Sequence, residues 1–441
     1  MRPGLGPPLY SSVVSAFVAR GWFVRSAWLA GALGLACVAL QGGDSGERAA
    51  AQRRDEATIP LPQWVRSVEV INDSARVFRG PSEASGRRGT IARGTRLQVL
   101  RRLPGIDCPT GYWFQVGAEL YLCTRHAVLS QELPSGVARP IVPEGSILPK
   151  AYAFVRTDGA RAYTRPSEYF ADEYAMALGR GFGVVVTGER TMEGIRFVQT
   201  ESQLYIERAD IGYARGSDLA GIELGPTDDL HFAWVRRANA TLHARPNGPV
   251  LRRLGRRDRV RLDPNAPTRE GWLTLADGGV MRTRDLQRPI LTAPPSEVRA
   301  NERWLDVSVA EQVLVAYEGE RPVFTTLVST GRDDPRHRTP LGVHAIWIKL
   351  AFSDMSNLGI DAPSEYAIED VPWVQFFDGS NGLHAAFWHD DFGNARSHGC
   401  VNLSPRDARY LFDFTQPALP AGWNAILPID TDRPTFIRVR P

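Results

Sequence analysis

Ser397-His398-Gly399-Cys400-Val401-Asn402, running directly into Leu403-Ser404-Pro405-Arg406-Asp407, is the stretch on which the reading of this chain turns. Ser404 has the side chain of a helix N-cap, Pro405 suits the first helical position, and Asp407 supplies an acid in the first turn. Ala408, Leu411 and Phe412 then fall on one helical face, so the sequence predicts a strand carrying Cys400 that runs into a capped helix. A free thiol of pKa about 8.5 is a modest nucleophile at neutral pH until a nearby imidazole takes its proton. Two histidines are candidates for that base: His398, which shares a face with Cys400 if the segment is extended, and His384, which must arrive from a separate strand. Gly399 permits close backbone approach, and the amides of Gly399 and Cys400 could contribute to an oxyanion hole.

The rest of the cysteine count sharpens this. Of four cysteines, Cys37 lies in an N-terminal apolar segment, Ala27 to Leu40, preceded by Arg2, Arg20 and Arg25 and followed by small and polar residues. That is the grammar of a secretory signal, with Ala49-Ala50-Ala51 as an Ala-x-Ala site; an uncleaved anchor and lipidation at Cys37 are the other readings. Residues 1–51 are therefore expected to direct export to the periplasm or cell envelope, with 52–64 as a linker. In an oxidising compartment Cys108 and Cys123, which bracket an apparent hairpin (Tyr112 to Val116, then Tyr121-Leu122), are expected to form a disulfide worth about 3 kcal/mol. Cys400 is then the odd thiol, which needs a reason.

The chain has 441 residues, 43% hydrophobic and 23% charged, which is ordinary globular composition with room for several domains. A net charge of +3 over that length gives no electrostatic case for nucleic acid. Apart from Lys150 and Lys349, the positive charges are all arginine. No apolar run reaches the roughly 18 residues of a confident membrane span.

Between the signal and residue 300 the sequence repeats itself: Ala75-Arg76-Val77-Phe78-Arg79-Gly80-Pro81, Ala160-Arg161-Ala162-Tyr163-Thr164-Arg165-Pro166 and Ala240-Thr241-Leu242-His243-Ala244-Arg245-Pro246. Each is followed by turn residues, a β-branched or aliphatic run and an aromatic strand, as small β-barrels require. The repeats resemble bacterial Src-homology-3-like domains, at 65–133, 150–221 and 230–290. They are expected either to contact the cell wall or a protein partner, or to act as spacers. Pro134 to Pro149, Ile222 to Asp229 and Pro289 to Glu297 read as the joins.

Residues 301–441 also read as mainly β, with strands at Trp304–Val309, Gln312–Tyr317, Val323–Val328 and Ile346–Ile348. Ser329-Thr330-Gly331-Arg332, Thr339-Pro340-Leu341-Gly342, the upstream His384 and Ser397-His398-Gly399-Cys400 follow one another here. In that order and spacing they resemble the L,D-transpeptidase catalytic domain. The resemblance implies a β-sandwich that acts, without a cofactor, on peptidoglycan stem peptides. In it Cys400 is the nucleophile, His384 the general base, and the backbone carbonyl of Ala385 the group that orients His384. His398 supports the nucleophile and Gly399 supplies an oxyanion amide. Ser397, Asn402, Tyr366 and Trp388 are candidate substrate-binding residues and Phe377 a further candidate cleft aromatic, with core packing the more common role for each of the three aromatics. It also implies that carbapenems acylate Cys400.

Three other readings fit the same residues. Water could resolve the acyl-enzyme, giving a carboxypeptidase; the domain could be a non-catalytic wall binder; or Cys400 with His384, His389 and His398 could ligate zinc, although the spacing matches no usual pair. His389, in His389-Asp390-Asp391, reads as a solvated loop residue.

Overall fold

A computed structural model describes residues 58–441 except 74, 268 and 359–364. The proposed signal segment, with Cys37, lies outside the described residues.

The C-terminal part is a sandwich of two sheets. Strands β1 (Arg303–Ser308), β2 (Val313–Glu318), β3 (Arg321–Leu327), β4 (Gly342–Ala345) and β10 (Phe436–Arg440) form one sheet in the order β3-β2-β1-β10-β4. Strands β5 (Ile348–Ser356), β6 (Ala367–Asp378), β7 (Asn381–Ala385), β8 (Val401–Leu403) and β9 (Trp423–Ile426) form the other, in the order β9-β5-β6-β7-β8. Leu305, Val307, Leu314 and Ala316 from the first face Trp373, Phe377, Leu383 and Val401 from the second across a shared core. Phe377 is part of that core, not a cleft aromatic. The strand expected at 346–348 differs: Ile346 and Trp347 form a corner between β4 and β5. There Ile346 N–H donates to Thr435 O and Trp347 N–H to Phe376 O, so the chain changes sheets.

Helix α1 (Pro405–Phe414) starts as the sequence predicts, with Ser404 Oγ accepting from Asp407 N–H at 3.2 Å. It buries Ala408, Leu411 and Phe412 in the sandwich core. Its C-terminal carbonyls at Phe412 and Thr415 accept from the buried Lys349 Nζ at 2.6 and 2.8 Å.

The three preceding segments repeat one arrangement of short antiparallel strands, each with a 3-10 turn (Thr124–His126, Arg208–Asp210, Thr283–Asp285) directly before a closing strand (Ala127–Ser130, Ile211–Tyr213, Leu286–Gln287). In the first module Ser67–Val70 pairs with Arg96–Leu97 and Ala127–Ser130; in the third, Phe232–Val235 pairs with Arg259–Arg261 and Leu286–Gln287. Each is built of small open sheets, and no closed barrel is present among the described residues. The Cys108–Cys123 disulfide is formed, joining Trp113 and Phe78 in a local core.

All three modules pack on the sandwich. Arg87–Ile91 of the first pairs with β9, extending the second sheet. Tyr152 and Val185 of the second cover Val371 and Val374 on the outer face of that sheet. Phe232 and Trp234 of the third share a core with Trp304, Tyr317 and Phe392. The stretch expected to be a linker after the first module also lies against the sandwich, where Val137 O accepts from Gly422 N–H and Leu148 joins the packed outer face.

Candidate active site

The outer face of the second sheet carries the candidate residues. In the parallel pair β7–β8, Leu383 opposes Val401 and Ala385 opposes Leu403, and all four enter the sandwich core. His384, which opposes Asn402, therefore belongs to the other face; Cys400, just before β8, has its thiol within hydrogen-bonding reach of the Gly382 backbone. The lack of a side chain at Gly382 leaves the strand open next to the thiol; a Cβ there would meet Phe376 Cδ1 at 2.9 Å.

His384 is 2% exposed, and its Nδ1 lies 3.2 Å from Ala385 O. A carbonyl accepts only, so Nδ1 carries the proton and Nε2 is left as the base. Burial pushes the imidazole down to about 4, against which the Ala385 contact is a smaller raising influence, so the ring is neutral at pH 7. Trp388 stacks on it with ring centres 5.7 Å apart. Burial likewise pushes the Cys400 thiol up to about 11, opposed by the Gly382 amide. The thiol donates to Ser380 O at 3.6 Å. At rest the thiol and the imidazole are thus both neutral.

Residues 397–400 form a bend instead of the expected strand, which begins at Val401. Gly399 adopts φ +124°, and a Cβ on it would lie 2.1 Å from Asn381 Oδ1, so this corner requires glycine. Ser397 Oγ ties the bend together, donating to Cys400 O at 2.5 Å and accepting from Gly399 N–H at 3.1 Å. The Gly399 amide and the Ser397 hydroxyl are thus engaged with each other within the loop. His398 does not share the face of Cys400: its ring packs against His337, 4.6 Å between centres, and Tyr366, 5.3 Å. Tyr366 is therefore beside the bend.

The Ser329–Arg332 segment straps this loop. Arg396 and Ser397 N–H donate to Thr330 O, Arg332 N–H donates to Ser397 O, and Ser329 exchanges backbone bonds with Asn402.

His389 is a correction. It is half-buried, its Nδ1 accepts from Asp391 N–H at 3.1 Å, and its Nε2 lies 3.1 Å from the side-chain amide of Asn402. Burial pushes it also down to about 4. Nothing local in the sequence signals this contact, because it depends on how the irregular segment after β7 folds back over Asn402. Asn402 is 3% exposed and locked by His389 and Ser329, so it shapes the site from within. Among the described residues no group of three or more His, Cys, Asp or Glu side chains is placed to hold a metal ion, and no helix is long and apolar enough to cross a membrane.

Residues 302–422 match the YkuD family, the L,D-transpeptidase catalytic domain, and this part of the chain is such a domain. No curated protein matches. Solved structures similar to the chain include a cysteine-to-serine variant of the Enterococcus faecium L,D-transpeptidase (20% identity, 31% of this chain and 49% of that one, TM-score 0.24). Two others are an L,D-transpeptidase from Mycobacterium smegmatis (16%, 48% and 100%, 0.26) and Mycobacterium tuberculosis L,D-transpeptidase 1 (21%, 32% and 61%, 0.23). The chain spans about half the length of the Enterococcus faecium protein, 49%.

Proposed function

We propose that this protein is an exported, peptidoglycan-modifying L,D-transpeptidase in which Cys400 is the nucleophile and His384 the general base. The observation that supports the proposal is His384 on β7 opposite Asn402, two residues after Cys400, with the Ala385 carbonyl accepting from Nδ1 so that Nε2 is left basic. His384 Nε2 takes the thiol proton as Sγ attacks the carbonyl carbon before the terminal D-alanine of a tetrapeptide stem. The Cys400 amide stabilises the oxyanion. His384 then gives its proton to the nitrogen of the departing D-alanine, the C–N bond breaks and a thioester remains. An amine, the side chain of diaminopimelate on a second stem, attacks the thioester; the new amide forms, and the thiol recovers its proton.

With both partners neutral at rest, the reactive thiolate is scarce until His384 takes the proton, which slows adventitious reaction of the thiol. The Src-homology-3-like character of the modules, and any hold they have on the wall, belong to the same proposal. The test is incubation of the protein with diaminopimelate-containing disaccharide tetrapeptides beside Cys400→Ala. Cysteine-dependent dimers with loss of D-alanine are expected; equal product from Cys400→Ala overturns the mechanism.

A further inference from the structure

Four consecutive residues just beyond His384 are each held by a side chain of the third module. Arg257 Nη1 donates to both carboxylate oxygens of Asp390, at 2.9 and 3.1 Å, and its Nη2 donates to the Asp390 carbonyl at 2.6 Å. Arg256 Nη2 donates to Asp391 Oδ1 at 3.0 Å and to Phe392 O at 2.8 Å. Gln287 Nε2 donates to Gly393 O at 2.8 Å. The hydroxyl of Ser217, from the segment between the second and third modules, also binds the Asp390 carboxylate. Underneath, Phe392 is fully buried in the core that Phe232 and Trp234 of the third module share with the sandwich.

The residues immediately before this clamped segment are the ones that line His384. Trp388 stacks on the His384 ring, and His389 bonds the Asn402 side chain that stands opposite His384 across the β7–β8 pair. An irregular segment of this kind loses its position readily unless its conformational freedom is removed. Two guanidinium forks on consecutive residues, directed at carboxylates and carbonyls, remove it with defined geometry.

We propose that the third module is a working part of the catalytic body: Arg256 and Arg257 are positioning residues that hold residues 390–393, and through Trp388 and His389 they set His384 for proton transfer with Cys400. The inference rests on the reading of Cys400 and His384 given above. It makes the third module a requirement for reactivity at the thiol, beyond any part it takes in contacting the wall.

The test uses the full chain and follows alkylation of Cys400 by iodoacetamide, assigned by peptide mass, from about pH 6 to about pH 9. Arg257→Gln, Asp390→Asn, the double variant and Arg257→Lys are compared with the parent, with the melting midpoint recorded for each. Each Gln or Asn variant is expected to slow Cys400 alkylation about tenfold at neutral pH and to move the profile to higher pH, since small displacements of a reacting group are costly. The double variant is expected to be no slower than the slower single one, because Arg257 and Asp390 act as one contact. Arg257→Lys, which keeps the charge but loses the fork, is expected to fall between. Folded variants with the parent's rate and profile overturn the proposal, as do single effects that multiply in the double variant. If the Gln and Asn variants do not fold, Arg257→Lys decides: a rate equal to the parent's overturns it. Alkylation needs no stem peptide, so an error about the substrate leaves this readout intact, and failure here leaves the stem-peptide assay unaffected.

Discussion

Lowering the pH should destabilise this protein through His384, by an amount the structure fixes. The buried imidazole is pushed from its ordinary 6.5 down to about 4 by desolvation, with the Ala385 carbonyl opposing. In the unfolded chain the same ring takes up its proton as pH falls through about 6.5, whereas the folded protein takes it up only near 4. Between those values the unfolded state binds more protons, so stability rises with pH. The contribution is full above about 6.5 and lost progressively as pH falls to about 4. A displacement of about 2.5 at roughly 1.36 kcal/mol each gives a loss of about 3 kcal/mol. His384→Gln cannot titrate, so its unfolding free energy should vary less between neutral pH and pH 4 by that amount, whatever its starting stability. His389 is present in both proteins, and its own burial cancels in the difference to first order. Urea unfolding at several pH values, with an NMR titration of the His384 ring, measures both sides of the argument. Parallel pH dependences for the two proteins, or a ring that titrates near 6.5 in the folded state, would refute it.

Three further outcomes are expected. The acid limb of turnover should lie near pH 4, where His384 gains its proton, and a limb near 6.5 would show the base to be solvated or to be another residue. Gly399→Ala should cost about 1–3 kcal/mol in the melting transition and most of the turnover, because its φ of +124° and the nearby Asn381 Oδ1 both oppose a side chain; a fully active alanine variant contradicts the geometry of the bend. Cys108→Ser should lower stability by about 3 kcal/mol while Cys400 alkylation stays unchanged, since the disulfide closes a local hairpin in the first module; altered Cys400 reactivity would mean that the first module reaches the site.

Much of the site was legible because its parts are local. Ser404, Pro405 and Asp407 announce the start of α1, and the hydrophobic spacing at Ala408, Leu411 and Phe412 announces its buried face; all of these stand where the sequence places them. The Cys108–Cys123 pair was readable for the same reason, since the two residues bracket one hairpin, Cys108 in the loop before it and Cys123 at the end of its second strand. The errors concern backbone direction and long-range contact. Alternation predicts His398 and Cys400 on one face, but the left-handed φ of Gly399 turns the chain and sends His398 to His337 and Tyr366. His389 reads as solvated because Asp390 and Asp391 follow it, yet those carboxylates are neutralised by Arg257 and Arg256, more than 130 residues away, which keeps the loop folded over Asn402. A pattern of charges in one segment does not reveal the opposite charges that another module will bring. The modules themselves were visible as repeats, but their packing on the sandwich depends on faces that only the folded chain defines, such as Tyr152 stacked on Phe387 at 4.0 Å.

The central claim is that Cys400 forms a thioester with a tetrapeptide stem. Its most direct test is the intact mass of the full chain after brief exposure to a diaminopimelate-containing disaccharide tetrapeptide, with the adduct mapped to a peptide. A covalent adduct on Cys400 equal to the stem less D-alanine, absent from Cys400→Ala and from His384→Gln, is the predicted result. A folded protein that releases D-alanine without that adduct when quenched during turnover, or that forms it on another residue, would contradict the account.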